Sequence, residues 1–151
     1  MMNIDDIKKH INNKSRLIGV DMGSKRVGLS ISDENRKIAT PLKTINYINI
    51  NTLIDELENI VNEKNIGAII FGNPKNMDGT EGASSQSVKD KIKLISKKLA
   101  IPIILWDERL STVGAFNLSR QLDVNVSKRV KNIDKNAAAF ILQGALDFLN
   151  N

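Results

Sequence analysis

The apolar run Leu17-Ile-Gly-Val20 stops at a carboxylate, Asp21, which opens the string Asp21-Met-Gly-Ser-Lys-Arg-Val-Gly28. Four apolar residues in succession read as a strand buried on both faces, so the chain must fold as a sheet covered from either side. A carboxylate at the tip of such a strand costs desolvation energy and needs a cation, a proton or a set of hydrogen bonds to hold it. A strand-end aspartate can equally cap its own turn. Two later acidic positions bear on that choice.

Val27-Gly-Leu-Ser-Ile-Ser32 alternates apolar with small polar residues, as a half-covered second strand should, and residues 22–26 form the hairpin between the two. A turn at Asp33-Glu-Asn-Arg36 leads to a third strand through Ile45, and Pro41 within it argues for a sheet edge. From residue 51 the period changes. Leu53, Ile54, Leu57, Ile60 and Val61 share one helical face, and Ile66-Gly-Ala-Ile-Ile-Phe71 follows as a short buried strand. After a loop over 72–82, a second helix directs Val88, Ile92, Leu94, Ile95 and Leu99 to the core and lysines outward. Pro102 precedes the strand Ile103-Ile-Leu-Trp106, which ends in Asp107-Glu108-Arg109. Ser111 caps a short helix to about residue 120, and a basic stretch over 121–131 connects to a last helix from about 132 to 149.

This order predicts an α/β fold, a mixed five-stranded sheet with three antiparallel strands followed by two parallel ones and helices on both faces. Ligands collect beyond the carboxyl ends of strands in such sheets. There the acids gather, Asp21 after the first strand and Asp107-Glu108 after the last. The final helix adds a third acid, since Asp134, Ala137, Ala138, Ile141, Leu142, Ala145 and Phe148 share a face, with Asn136, Gln143, Asp147 and Asn150 opposite. Asp134 either favours the helix dipole from a first turn or is carried towards the strand ends by the small alanines beside it.

The residue types narrow the chemistry. The 151 residues are enough for one domain that needs no staple. With no cysteine and a single histidine, His10, in a polar N-terminal segment, thiol catalysis and histidine acid–base chemistry lack material. Converging carboxylates suit Mg²⁺ or Mn²⁺, hard cations that take oxygen ligands. Two such ions about 4 Å apart can hydrolyse a phosphodiester without a nucleophilic side chain. The formal charge of +5, from 22 basic and 17 acidic residues, suits a polyanion. Lys25, Arg26 and Arg109 lie beside the acids, and Arg120, Lys128, Arg129, Lys131 and Lys135 cluster around the last connection, where they could hold phosphates. Residues 1–15 lack the apolar core of a signal peptide, and the longest apolar stretch, residues 99–106, cannot cross a bilayer, so a soluble cytoplasmic protein is expected. Tyr47 and Trp106 are too few and too separated for a base-stacking platform, and Trp106 reads as core.

Four strings, Leu17-Ile-Gly-Val-Asp-Met-Gly-Ser-Lys-Arg-Val-Gly28, Gly72-Asn-Pro-Lys-Asn-Met-Asp-Gly-Thr-Glu-Gly82, Leu105-Trp-Asp-Glu-Arg-Leu-Ser-Thr112 and Ile133-Asp-Lys-Asn-Ala-Ala138, resemble in order the YqgF/RuvX family of pre-16S rRNA nucleases, also described as Holliday-junction resolvases. The resemblance runs from about residue 16 to the C-terminus. Residues 1–15 are left as a helical or flexible extension of a ribonuclease-H-like nuclease domain over 16–151. It implies Mg²⁺- or Mn²⁺-dependent phosphodiester hydrolysis, of endo- or exonuclease type, on the 5′ end of pre-16S rRNA, with the precursor of the small ribosomal subunit as a partner. Carried over by motif, Asp21, the pair Asp107-Glu108 and Asp134 are the catalytic acids, with Asp21, Glu108 and Asp134 on the metal. Adjacent Asp107 and Glu108 would point to opposite sides of an extended backbone, and Glu108 is favoured as the ligand. The chain departs from many ribonuclease-H-like enzymes where the strand after the first helix ends in Phe71-Gly-Asn73 without an acid, leaving Asn73 as a weak ligand or the site with three acids. The alternatives are the same chemistry on branched DNA, an RNA-binding assembly module that cleaves poorly, and an actin-like ATPase phosphate loop at Asp21, for which the chain leaves little room.

Overall fold

The computed structural model describes residues 2–75, 78–107 and 126–150, with side chains in the last stretch from residue 136 onward. Five strands, β1 (Arg16–Met22), β2 (Arg26–Ser32), β3 (Ala39–Asn46), β4 (Ile66–Asn73) and β5 (Ile103–Asp107), form one sheet in the order β3-β2-β1-β4-β5. The first three are antiparallel neighbours, while β4 lies parallel to β1 and β5 parallel to β4. The sheet is therefore the mixed five-stranded arrangement expected from the pattern, and the ribonuclease-H-like one that the family resemblance implies. Pro41 sits on the outer strand β3, where its missing N–H interrupts no inner ladder.

Period-2 alternation divides each strand between two cores. On one face Ile18, Val20, Val27, Leu29, Ile69, Phe71 and Ile103 pack against Leu53, Ile54, Leu57 and Ile60 of α2 (Ile50–Glu63) and Val88, Ile92 and Ile95 of α3 (Ala83–Ser96). Asn49 starts α2 by accepting the Asn51 N–H on its side chain at 2.8 Å. Asn65 ends it in the left-handed region, at φ 54°, and passes its carbonyl to the Arg16 N–H that begins β1. On the other face Leu17, Ala68, Ile70, Ile104 and Trp106 meet Ile141, Leu142, Ala145, Leu146 and Leu149 of α4 (Val126–Leu149). Residues 4–10, a 3-10 turn and the single-turn helix α1 (Ile7–His10), add Ile4 and Ile7 to this second core and leave His10 exposed.

Three sequence expectations are corrected. The last helix starts at Val126 rather than near residue 132, so Lys128, Arg129 and Lys131 stand on α4 and not in a connection. Lysine and arginine are good helix formers, and Val126, Val130, Ile133 and Ala137 already carry the apolar spacing. Leu94 is 45% exposed, because it lies two residues, about 200°, from Ile92 on α3. Phe148 is 47% exposed, and the buried stripe of α4 continues from Ala145 to Leu149 instead. Expected elements between residues 108 and 125, including the short helix from Ser111, lie outside the described residues.

Candidate functional site

Strands β1, β4 and β5 run parallel and end along one margin of the sheet. Asp21 is the penultimate residue of β1, pairs with Gly28 of β2, and is half-buried. Its parity is that of Leu17 and Gly19, so it belongs to the α4 face. Asp107 ends β5 opposite Asn73 and shares the parity of Ile103 and Leu105, which pack on the α2–α3 side. Asp21 and Asp107 therefore stand on opposite faces of the sheet. Glu108 and Arg109 lie outside the described residues.

Gly19 sets how closely α4 approaches β1. A Cβ there would stand 2.4 Å from Ser30 Oγ, 2.6 Å from Leu142 Cβ and 2.8 Å from the Ala138 carbonyl oxygen. The Ser30 hydroxyl donates to that same carbonyl at 2.7 Å, fastening helix to sheet at the point of nearest approach. Farther along α4, Gln143 Oε1 accepts from the Ala39 N–H at 2.8 Å, and Asn150 Nδ2 donates to the Arg36 carbonyl at 2.8 Å. Both contacts lie at the end of the sheet away from Met22, so α4 runs antiparallel to β1. One turn back from Ala138 is Asp134, about 6 Å along the helix axis. Two residues on from Gly19 is Asp21, about 6.6 Å along the strand. The backbone at Asp134 thus comes level with Asp21, on the stripe that includes Ala138.

The remaining candidates are distributed as follows. Lys25 and Arg26 are exposed where the β1–β2 turn meets β2. Lys128, Arg129 and Lys131 occupy the N-terminal turns of α4, before Asp134. Asn73, weighed as a weak ligand, is engaged elsewhere. It is 3% exposed, its Oδ1 accepts the Ser85 hydroxyl at 2.7 Å, and its Nδ2 donates to Glu81 Oε1 at 3.4 Å. Glu81 also forms an ion pair with Lys89, which holds its carboxyl below the usual carboxylate range, with burial opposing and the Asn73 amide reinforcing the shift. Asn73 therefore ties the loop after β4 to the first turns of α3, on the face away from Asp21. Sequence reasoning missed this role, and its only trace was an amide standing where an acid was expected.

Among the described residues no three acidic or histidine side chains gather as a metal site. Of the three expected donors, only the Asp21 side chain lies in the described part. No described helix is long and apolar enough to cross a membrane.

A family model described as "RuvX: Holliday junction resolvase" matches residues 15–148. A relative from Pelagibacter ubique, named "Putative pre-16S rRNA nuclease", is 66% identical over 151 residues and spans 100% of both chains. Another of the same name from Methylocella silvestris is 39% identical over 149 residues, covering 99% of this chain and 92% of its own. Among solved structures, RuvC of T. thermophilus in complex with a Holliday junction substrate matches with a TM-score of 0.55 at 10% identity, over 87% of this chain and 93% of that one. The yeast mitochondrial Holliday junction resolvase matches at 0.53 and 13% identity, over 97% and 84%. At such identities the likeness is one of fold.

Proposed function

Because the chain belongs to the RuvX family, we propose that it is a divalent-metal-dependent nuclease that processes the 5′ end of pre-16S rRNA, acting on small-subunit precursors in the cytoplasm. The observation that carries this reading is the fastening of α4 on β1 at Gly19, which brings the backbone at Asp134 level with Asp21. The backbone of a helix from late in the chain then lies beside Asp21 at the carboxyl margin of the sheet.

The donor set is carboxylate oxygen, and oxygen donors suit Mg²⁺ or Mn²⁺. Asp21, Glu108 and Asp134 would hold the ion. When bound, it supplies Lewis-acid stabilisation of charge on the phosphate and a water of lowered pKa. Parity weighs against Asp107, which falls on the α2–α3 face, away from Asp21, and leaves Glu108 as the donor that the motif offers. Asp107 then acts by orienting its neighbours, Arg109 among them. Lys25, Arg26 and Arg109 would neutralise phosphates next to the scissile bond, and Lys128, Arg129 and Lys131 would hold those farther along the strand. Recognition rests on backbone charge and RNA shape, since the two aromatics weighed for stacking, Tyr47 and Trp106, are both buried.

The test is cleavage of a 5′-extended small-subunit rRNA precursor and of a four-way DNA junction, each with Mn²⁺ or with EDTA. The precursor is expected to be cut only with Mn²⁺. A preference for the junction would replace the rRNA assignment with resolution of branched DNA. Binding of either substrate without cutting would identify an assembly factor.

A further inference from the structure

The turn that follows Asp21 is held from outside by two side chains to which the nuclease chemistry assigns no role. The Gly23 carbonyl accepts the Tyr47 hydroxyl at 2.9 Å and the Lys91 ammonium at 3.4 Å. Tyr47 also donates its backbone N–H to the Lys25 carbonyl at 2.9 Å, so one residue grips the turn at two points. The turn closes on itself through the Gly23 N–H and the Arg26 carbonyl at 2.9 Å. That closure requires glycine, because a Cβ at residue 23 would stand 2.4 Å from the Arg26 oxygen. Tyr47 comes from the β3–α2 connection and is 9% exposed, and Lys91 comes from α3 with its ammonium 5.8 Å from the Tyr47 ring centroid.

Two elements thus converge on a turn whose Ser24, Lys25 and Arg26 are otherwise exposed. Burial of the tyrosine ring alone would not need its hydroxyl on a backbone carbonyl, nor a lysine on the same atom. We propose that Tyr47 and Lys91 are positioning residues that brace the 23–25 turn, fixing the backbone at Asp21 and the basic tip at Lys25 and Arg26 against α3. The catalytic consequence rests on the nuclease reading above. A group carried next to a turn needs such support, since a displacement of about 1 Å can cost roughly 100-fold in rate.

The experiment compares wild type with Tyr47→Phe, which keeps the ring, Lys91→Met, and the conservative Lys91→Arg. Amide hydrogen exchange over residues 23–26 and 47 is read without metal or substrate, Mn²⁺ affinity without substrate, and kcat and KM on the rRNA precursor. Tyr47→Phe and Lys91→Met are expected to speed exchange at those amides about fivefold and to weaken Mn²⁺ binding. They should also lower kcat about tenfold with KM within about twofold, and Lys91→Arg should restore all three. Unchanged exchange in both variants would overturn the brace, as would losses that Lys91→Arg shares and that track a uniform fall in stability. If the wild type cuts no substrate, the nuclease reading fails on its own, and exchange with Mn²⁺ affinity still decides the brace.

Discussion

At the scale of a residue, Gly19 decides how closely α4 lies on β1 by what it lacks. Two of the three atoms that a Cβ would meet there are a helix carbonyl and a Cβ, which yield only if α4 moves. Gly19→Ala should cost about 1–3 kcal/mol in urea denaturation, and should lower cleavage further than that loss of fold accounts for, because Asp134 rides on the displaced helix. Asp33 makes a separate prediction about acid. Its Oδ1 accepts the Lys37 N–H at 2.8 Å and the Ile38 N–H at 3.0 Å. Its pKa is lowered from 3.8, chiefly by the Ile38 bond, with partial burial opposing and the Lys37 bond reinforcing. A depressed folded pKa means that the stabilisation is complete above the unfolded value and is lost as pH falls through the folded one. Denaturation midpoints should therefore fall on acidification below about pH 4, and Asp33→Ala should flatten that part of the profile.

At the scale of an element, the loop after β4 and the N-terminal half of α4 carry the next tests. Ser85→Ala leaves the buried Asn73 oxygen without its hydroxyl donor and should cost about 1–3 kcal/mol of stability, read as a fall in thermal midpoint. Charge reversal at Lys128, Arg129 and Lys131 should weaken RNA binding and reduce the slope of log K against log salt by about two, at roughly 0.7 per lost single-strand contact. An unaltered slope would show that these residues do not meet the RNA. The strands were legible in the sequence because alternation and Pro41 reflect local sterics. The start of α4 was not, since a basic helical stretch and a basic connection share a composition, and only the spacing of Val126, Val130 and Ile133 separates them. Leu94 and Phe148 show the same limit, because an apolar residue near the edge of a stripe is buried or exposed according to how the helix rolls on its sheet.

At the scale of the molecule, the backbones of Asp21 and Asp134, from the two ends of the chain, come level at one sheet margin within a protein of net charge +5. Asp21 was legible as a candidate because a carboxylate closing a buried strand is costly without a partner. The role of Gly19 was not, because a glycine in a strand does not reveal which helix will lie across it, and that approach joins residues 119 positions apart in sequence. Nor did an isolated Tyr47 reveal that its hydroxyl and N–H would both reach the hairpin. The most direct measurement is Mn²⁺ affinity, by titration calorimetry, of wild type beside Asp21→Asn, Glu108→Gln, Asp134→Asn and Asp107→Asn. A shared metal site formed by Asp21, Glu108 and Asp134 predicts at least about tenfold weaker binding in the first three and a near-native value for Asp107→Asn. Native affinity in Asp134→Asn, or a loss in Asp107→Asn that Glu108→Gln does not show, would contradict it.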